Sequence, residues 1–565
     1  MIINRKRLTN RENAIATLAK LFDYSTIRYA KRNLSGYIDG GQEYTYASFR
    51  NRCLDLSHRM SRFGISAGDK VAILSQNMPN WTVAFFSITP FGRVVVPILP
   101  DSSEHEVTNI LMHSGTRVLF VSKRLRSKVS QACIDKLTLV IDIETFEFVK
   151  KDEEAFTCEG WVKEPQPDDL AAIIYTSGTS GNAKGVMLSH RNLCHNVIVA
   201  FNAQPATKRD RWMSILPMSH TYEMAFGVLY PFYVGACVYY IQKPPTPSIL
   251  IAAMKKVRPM IICSVPLIIE KVYRSSVLPT IEKSRILSWM RDHTPRILYW
   301  LVGRRLYKSF GGKIKFFGIG GSKLDPEVET FLKKARFPYA IGYGLTETAP
   351  LITNACVGKT VVGSCGVAAW NVEVKLQNVD PQTGEGEIIA RGDNVMLGYY
   401  KDPERTRGVL TDDGWFRTHD LATVDEKGRY YIKGRLGNMI VGASGENIYP
   451  EEIEQVINSV EGVNESLVME RDGKLVALVK FDEKFLDWDQ ASEDEFFEKL
   501  QANKQAVLDF VNKHVSKQSK VGEVEVMKDP FEKTATQKIR RFKYKDAHGD
   551  NVQVEQERKK QEEEE

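Results

Sequence analysis

Apolar residues in the middle of the chain come in short runs, separated by polar turns and by helical patterns. The clearest runs cover residues 71–74, 94–99, 118–121, 171–175 and 313–321. Unbroken apolar runs of this length are typical of strands buried on both faces of a parallel sheet. Behind the last run, Asp325 and Pro326 are suited to the N-cap and the first position of an amphipathic helix. The pattern from about Thr45 to Asp482 predicts an α/β fold of parallel or mixed sheets with helices.

The pattern changes near Gly434. Pro450 is placed to start a helix, residues 465–482 predict a hairpin turning at Asp472-Gly473, and a helical pattern follows from about 493 to 514. These elements predict a small α+β domain. We therefore predict a large N-terminal domain of several subdomains at 1–433, a small mobile C-terminal domain at 434–545, and a disordered tail at 546–565.

Composition narrows the class of protein. The chain has 565 residues, 43% of them apolar, and its eight cysteines form no CxxC pair. Neither a zinc site nor a disulfide framework is indicated, which favours a reducing compartment. The N-terminus lacks the long apolar segment of a secretory signal, so we expect a cytoplasmic protein. The uncharged segment 224–241 is interrupted by Gly227, Pro231 and Gly235, which predicts two buried core elements rather than a membrane span.

Positive charge is concentrated in one stretch. The net charge of the chain is +7, whereas residues 283–315 hold nine Lys or Arg against one acid, Asp292, which gives +8. Trp289, Trp300 and Leu301 lie among these cations. Three interpretations remain open: a solvated helical face over a buried stripe, a surface that contacts anionic lipid headgroups at the inner face of a membrane, or a surface that docks an acidic carrier protein. We expect small-molecule partners and no nucleic acid.

The segment 175–185, YTSGTSGNAKG, lies between two apolar runs. Its glycines allow close backbone approach, its hydroxyls donate hydrogen bonds, and Lys184 adds a positive charge, which together predict a polyphosphate-binding loop. Asn182 and Ala183 separate Gly181 from Lys184, so the spacing of a Walker P-loop is absent. A flexible linker is the alternative, but its position between strand-like runs favours the phosphate loop. Residues 318–322 form a second, weaker candidate loop.

Six motifs carry a resemblance to a known family. They are YTSGTSGNAKG at 175–185, YGLTET at 343–348, GWFRTHD at 414–420, KGRLGNMI at 433–440, GENIYPEEIE at 446–455 and KTATQKIRR at 533–541. In this order the chain resembles the adenylate-forming, AMP-binding superfamily of acyl-CoA synthetases, adenylation domains and luciferases. LPMSHTYE at 216–223 and VPLIIEKVY at 265–273 are most similar to bacterial long-chain fatty acid–CoA ligases.

The resemblance implies a ligase that joins a carboxylic acid, here a medium- to long-chain fatty acid, to a thiol. ATP would give an acyl-adenylate and pyrophosphate, and coenzyme A would then displace AMP; Mg2+ is the implied metal. Two anions must meet in the first step, so the site has to supply cations and hydrogen-bond donors. An acyl-carrier-protein ligase and a catalytically silent nucleotide- or fatty-acid-binding regulator remain the alternatives.

The resemblance also assigns roles to residues. Lys538, Glu347 and Thr346 are the implied catalytic residues, and Glu347 is the implied magnesium ligand. Asp420 and Arg435 would hold the ribose. The implied nucleotide-binding set is Thr176, Ser177, Gly178, Thr179, Ser180, Gly181, Lys184, Gly320, Gly321, Ser322, Tyr343, Gly344, Thr346, Asp420, Arg435 and Lys538.

Further implied positions lie outside the catalytic set. Ser444, Gly445 and Glu446 would line the tunnel for coenzyme A, Gly437 would be the hinge, and His220 would lie beside the acyl pocket. Without the motifs, each charged residue could equally be a surface or structural residue, and a Thr-Glu pair is often a helix cap.

Three positions depart from the family pattern. Gly437 stands where Lys or Asp is usual at the hinge, which predicts easier domain rotation. Gln537 replaces the glycine before the catalytic lysine and is strained if its φ is positive. His419 replaces the glycine of a TGD sequence, so its ring could crowd the ribose or add a titratable charge beside Asp420.

Overall fold

The computed structural model describes residues 5–156, 162–176, 184–243, 246–441, 447–488, 494–534, 537–545 and 548–549. Within them the chain first forms strands β1 (Asn33–Tyr37), β2 (Glu43–Thr45), β3 (Lys70–Leu74), β4 (Val94–Ile98), β5 (Val118–Val121), β6 (Leu139–Asp142), β7 (Phe148–Lys151), β8 (Leu170–Thr176) and β9 (Lys184–Ser189). Next come β10 (Arg211–Ser214), β11 (Cys237–Tyr240), β12 (Ile261–Ser264), β13 (Phe316–Ile319), β14 (Tyr339–Gly344), β15 (Leu351–Ala355), β16 (Val367–Ala368), β17 (Val372–Gln377) and β18 (Gly386–Gly392). The last strands are β19 (Gly398–Tyr399), β20 (Phe416–Val424), β21 (Tyr430–Arg435), β22 (Ile440–Val441), β23 (Asn447–Ile448), β24 (Val463–Arg471), β25 (Lys474–Phe481) and β26 (Glu523–Val526).

The α-helices in the first half are α1 (Arg5–Ala14), α2 (Leu18–Arg28), α3 (Tyr46–Ser61), α4 (Pro79–Ile88), α5 (Glu104–Ser114), α6 (Gln131–Lys136), α7 (His190–Ala203), α8 (Thr221–Glu223) and α9 (Tyr230–Val234). The second half has α10 (Pro247–Val257), α11 (Pro266–Val272), α12 (Leu278–Glu282), α13 (Arg285–His293), α14 (Pro295–Ser309), α15 (Pro326–Lys334), α16 (Pro403–Val409), α17 (Pro450–Ile457) and α18 (Asp494–His514). A π-helical turn at Met224–Leu229 joins α8 to α9, and another at Tyr273–Val277 joins α11 to α12.

Two large sheets form the N-terminal domain. One has eight strands in the order β19-β9-β8-β4-β3-β5-β6-β7, and the other has nine in the order β16-β15-β14-β13-β12-β10-β11-β1-β2. Four of the predicted apolar runs are β3, β4, β5 and β8, with parallel pairing of β3 to β4, β3 to β5 and β4 to β8. The fifth contains β13, which pairs in parallel with β12 and β14. The predicted mixed α/β architecture is confirmed.

Local predictions around the second sheet are also confirmed. The side chain of Asp325 accepts hydrogen bonds from the backbone N–H groups of Glu327 and Val328, and Pro326 is the first residue of α15. The segment 224–241 forms two buried elements, a helical segment that ends at Gly235 with φ 77° and then β11. Among the described residues, no helix combines the length and apolar character needed to cross a bilayer.

The small C-terminal domain has its own sheet and core. Strands β24 and β25 form the predicted hairpin, in which Asp472 and Gly473 have φ of 50° and 74°, and β26 pairs in parallel with β25. Positive φ at both turn residues is the requirement of a type I′ turn. Helices α17 and α18 pack their apolar faces on this sheet. The predicted tail from residue 550 onward lies outside the described residues.

Candidate active site

The turn after β14 carries Glu347, whose buried carboxylate lies in a closed polar cluster. Lys184 Nζ lies 2.7 Å from Glu347 Oε1, and Tyr399 Oη donates to the same oxygen at 2.9 Å. Lys184 also donates to Tyr399 Oη at 2.9 Å. Burial would raise the pKa of Glu347, but the ion pair and hydrogen bond with Lys184 outweigh it and lower that pKa. Glu347 is therefore an anion whose charge Lys184 balances.

The fold explains why these three residues meet. Lys184 begins β9, and its register partner on the antiparallel β8 is Thr176. Tyr399 lies on β19, which pairs with the other edge of β9. Thr176 Oγ1 is buried and has no hydrogen-bond partner among the described residues. An orphaned hydroxyl beside an ammonium and a carboxylate fits a site that receives phosphate oxygens and a hard cation. The predicted loop residues Ser177, Gly178, Thr179, Ser180 and Gly181 lie outside the described residues.

A second polar cluster is formed by Asp420, Arg435 and Tyr343. Asp420 and Arg435 are cross-strand partners on β20 and β21, and Arg435 Nε donates to Asp420 Oδ1 at 3.0 Å. Tyr343 Oη donates to Asp420 Oδ2 at 2.7 Å. The negative charge of Asp420 raises the pKa of Arg435, and burial raises that of Tyr343. Each carboxylate oxygen retains a lone pair, so Asp420 can still accept from two hydroxyls.

The glycine loop at 318–322 lies beside this cluster. Strand β13 ends at Ile319, and the parallel neighbour β14 ends at Gly344, so both open at the same sheet edge, where α/β proteins bind ligands. Gly321 has φ 95°, and Ser322 is exposed. A Cβ at Gly344 would lie 1.7 Å from the carbonyl oxygen of Pro350, so glycine is required there.

Lys538 lies near both clusters although it comes from the C-terminal domain. Its side chain is accessible to solvent, yet protein atoms lie close around it, as on the wall of a cleft. This enclosure, followed by the positive charge of Arg435, lowers the pKa of Lys538, while Asp420 and Glu347 act in the opposite direction. The structure therefore brings Lys538, Glu347, Asp420 and Arg435 into one electrostatic environment.

The turn that presents Lys538 requires a left-handed residue. The N–H of Thr534 donates to the carbonyl oxygen of Lys538, and the N–H of Gln537 donates to that of Thr534, both at 2.8 Å. Gln537 has φ 64°. The condition for strain that the sequence analysis set at Gln537, a positive φ, is confirmed. A residue with a Cβ is held there in the region that favours glycine.

His419 also has a positive φ, 58°, in a bulge of β20. Its Nδ1 lies 3.2 Å from Glu387 Oε1. Burial would raise the pKa of Glu387, but hydrogen bonds from His419 and then Arg417 lower it to about 2. The ring is thus paired with Glu387, a residue that the motifs do not identify, rather than with the neighbouring Asp420.

His220 caps α8 beside these loops. Its Nδ1 accepts from the backbone N–H of Tyr222 at 3.2 Å, and burial, with a smaller effect from Lys538, lowers its pKa to about 4. Thr221 Oγ1 lies 3.5 Å from Thr346 Oγ1. The segment containing His220 therefore contacts the turn that carries Thr346.

Besides Glu387, sequence reasoning missed two buried groups. Tyr399 joins Lys184 and Glu347 but belongs to no recognised motif. Glu223 is buried, its Oε2 has no hydrogen-bond partner among the described residues, and burial raises its pKa to about 8. A Cβ at Gly227 would lie 2.3 Å from Glu223 Oε1, so the glycine one helical turn later leaves room for this acid. A glycine four residues after an acid inside an apolar segment is the signal that could have indicated it.

The positions predicted for domain movement are only partly described. Gly437 is exposed, does not have a positive φ, and a Cβ there would meet open space. Ser444, Gly445 and Glu446, predicted for the coenzyme A tunnel, lie outside the described residues.

Comparisons with known proteins support the family assignment. Residues 27–400 match the family described as AMP-binding enzyme. The chain is 26% identical to the probable acyl-activating enzyme 16 of Arabidopsis thaliana, over 92% of this chain and 85% of the relative. It is 28% identical to the peroxisomal long chain acyl-CoA synthetase 6 of the same plant, over 85% of this chain and 75% of the relative. It is also 28% identical to a chloroplastic long-chain-fatty-acid–[acyl-carrier-protein] ligase of that plant, over 89% and 81%.

Solved structures share the fold. The o-succinylbenzoate CoA synthetase of Bacillus subtilis with its acyl-adenylate aligns with a TM-score of 0.75 and 22% identity, over 94% of this chain and 98% of that structure. ATP-bound MatB from Rhodopseudomonas palustris aligns with a TM-score of 0.73 and 23% identity, over 94% and 99%. The chain thus has the fold of adenylate-forming enzymes, with a large N-terminal and a small C-terminal domain, and belongs to the AMP-binding enzyme family.

Proposed function

We propose that the protein activates a medium- to long-chain fatty acid with ATP and transfers the acyl group to coenzyme A. The observation that carries this proposal is the convergence of Lys538, Glu347 and the Asp420–Arg435 pair on one cleft. A carboxylate and an α-phosphate repel each other, and Lys538 is the cation best placed to reduce that repulsion. Names of relatives support the acyl class: two of them are described as acting on long-chain acyl groups.

In this proposal the two polar clusters divide the nucleotide between them. Asp420 accepts from the ribose hydroxyls, Arg435 holds that carboxylate in place, and Tyr343 and Gly344 line the adenine with residues 320–322. Thr346 donates to the α-phosphate. Glu347 would hold Mg2+, which would neutralise phosphate charge when bound. Lys184, with Thr176 and the glycine-rich loop after it, would then contact the β- and γ-phosphates.

The small domain is proposed to alternate between two positions, with the domain boundary at 433/434 and the hinge at Gly437. In the observed position Lys538 is within electrostatic reach of Asp420 and Glu347, which supports assigning this arrangement to adenylation. Its neighbour Arg540 pairs with Glu106 of the N-terminal domain at 2.7 Å, which would stabilise this arrangement. Rotation would then bring residues 444–446 to the coenzyme A tunnel, with His220 beside the acyl chain.

The test is pyrophosphate release by the purified full-length chain with ATP and Mg2+, over acids from acetate to oleate and including aromatic acids. We expect release with medium- or long-chain acids. Absence of release with every acid would contradict the enzyme proposal and favour a catalytically silent regulator. A preference for short or aromatic acids would contradict only the chain-length assignment.

A second candidate acceptor is a holo acyl carrier protein, because one relative that aligns with most of this chain is described as such a ligase. Thioester formation should be measured with coenzyme A and with holo carrier protein under the same conditions. We expect coenzyme A to be preferred. The proposal also places the protein in the cytoplasm.

A further inference from the structure

Helices α13 and α14 expose a concentrated apolar face. The inward side chains of α14, Leu298, Val302 and Leu306, are buried in the core beside the nine-stranded sheet, whereas α13 contributes only partly buried side chains to that core. On the outer side, the exposed fractions are 73% for Ile286, 56% for Trp289, 53% for Ile297, 52% for Trp300 and 42% for Leu301. Single exposed apolar residues are ordinary, but five large ones within sixteen residues of sequence, on two consecutive helices, are a concentration that favours a binding partner.

A cationic cavity continues this face. It has a volume of about 460 Å³ and is lined by Lys255, Arg258, Arg304, Tyr307, Lys308, Gly311 and Gly312, with no acidic residue. On α14 the spacing of Ile297, Leu301, Arg304 and Lys308 places them along one side of the helix. The guanidinium carbon of Arg304 lies 5.4 Å from the ring centroid of Trp300, which joins the cavity to the apolar patch.

The two features together specify the chemistry of the partner. An aqueous anion would need the cations but would gain nothing from exposed tryptophan and isoleucine. A bilayer of anionic phospholipids satisfies both, because indole rings and aliphatic side chains enter the boundary between headgroups and acyl chains while Lys and Arg contact phosphates. The charge of 283–315, nine cations against one acid, is complementary to such a surface.

We propose that α13, α14 and the cavity form a membrane-docking face, in which the apolar patch inserts shallowly and the cavity binds a phospholipid headgroup phosphate. The contact goes beyond the proposed function. The membrane contact would deliver a membrane-dissolved acid to the enzyme, and this purpose rests on the proposed function. The contact itself does not depend on that function.

The test is co-sedimentation of the full-length chain with vesicles of phosphatidylcholine, with and without phosphatidylglycerol. We expect binding to the anionic vesicles and weak binding to the zwitterionic ones. Arg304→Ser with Lys308→Ser should weaken binding about fivefold for each cation removed. Ile286→Ser with Trp300→Ser should weaken it about tenfold or more, because two inserted side chains are lost.

Matched controls separate a defined face from general attraction of a basic protein to anionic lipid. Lys123→Ser with Arg124→Ser removes the same charge from an exposed turn elsewhere and should change binding less than twofold. Ile27→Ser with Leu54→Ser removes exposed apolar side chains outside the face and should also have little effect. All variants should retain the melting temperature and the pyrophosphate release that the parent chain shows in the absence of vesicles.

Several results would overturn the proposal. One is equal weakening by the face variants and the Lys123/Arg124 control. Another is loss of inorganic phosphate or glycerol phosphate binding in the Arg304/Lys308 variant with unchanged vesicle binding, which would identify a site for soluble anions. A third is tight, variant-sensitive binding of purified acidic carrier protein without vesicle binding. None of these results depends on which acid the enzyme activates.

Discussion

The two lysines of the cleft differ in how the protein holds them. Lys184 is fixed by Glu347 and Tyr399 within the N-terminal domain. Lys538 enters from the C-terminal domain, and among the described residues its ammonium has no hydrogen-bond partner. A lysine already paired with a carboxylate contributes to the fold and must exchange partners before it meets a phosphate. A lysine without such a partner can meet the substrate without first breaking an ion pair. We therefore assign catalysis to Lys538 and leaving-group binding to Lys184.

The largest effect should come from Lys538→Ala. Loss of one preorganised electrostatic stabiliser costs about 10²- to 10³-fold in rate, so acid-dependent ATP–pyrophosphate exchange should fall by that factor. Thioester formation from supplied acyl-adenylate should change little, since the proposed mechanism uses Lys538 only in the first step. Lys543→Ala, an exposed lysine in the same segment, is the control. Equal loss in both half-reactions would contradict the assignment.

The pH dependence of adenylation should report the same lysine. Its pKa is lowered from 10.5 by enclosure and by Arg435, and in the proposed mechanism the protonated form is the active one. Activity should therefore decline as pH rises, with a midpoint below 10.5 and about tenfold per pH unit beyond it. The profile of kcat/KM for pyrophosphate release measures this. In Lys538→Arg the decline should disappear, because arginine keeps its charge; a decline unchanged in that variant would assign it to another group.

Lys184→Met should produce a smaller loss of activity but a larger loss of stability. We expect KM for ATP to rise about tenfold, since a binding charge is removed. The unfolding free energy should fall on the order of 2 to 3 kcal/mol, because Glu347 is left buried without its partner. Denaturant titration measures the second effect, with Lys359→Met at an exposed position as the control. If Lys184→Met unfolds no more easily than this control, the ion pair does not stabilise the fold.

The Lys184–Glu347 ion pair also determines the direction in which stability changes with pH. The pKa of Glu347 is lowered below 4.5 in the folded state. The stabilisation that the ionised carboxylate contributes is therefore present at neutral pH and is lost as pH falls through the folded pKa. In Lys184→Met that loss should shrink or reverse, because burial alone raises the pKa.

Local elements could be predicted because their signals are local. The strands at 71–74 and 118–121 and the cap at Asp325 follow from a few consecutive residues. Tyr399 could not be predicted as a partner of Glu347, since it reaches the cluster only because the edge strand β19 pairs with β9. The contact of Glu106 with Arg540 likewise joins residues more than 400 positions apart, through a domain arrangement that no pattern in the chain encodes.

Gln537→Gly tests the strained turn that presents Lys538. A left-handed non-glycine residue costs on the order of 1 kcal/mol, so relief should favour the observed turn about fivefold. We expect single-turnover adenylation to accelerate by up to that factor, with no gain in thioester formation. His419→Gly is the matched control, because that residue has nearly the same φ within a bulge of the N-terminal domain. Similar acceleration in both variants would show that the effect is not specific to the Lys538 turn.

The smallest effect should come from Gly437→Lys. In the observed position this glycine has open space around it and no left-handed backbone, so lysine fits and stability should change by less than about 1 kcal/mol. A side chain narrows the dihedral angles available during rotation, so the ratio of the two half-reaction rates should shift by about two- to threefold. Gly408→Lys, also in open space but within α16, should leave that ratio unchanged. If both half-reactions of Gly437→Lys keep their rates, Gly437 is not the residue that absorbs the rotation. The domain rotation that moves Lys538, but not Lys184, must then be absorbed elsewhere in the segment between the domains.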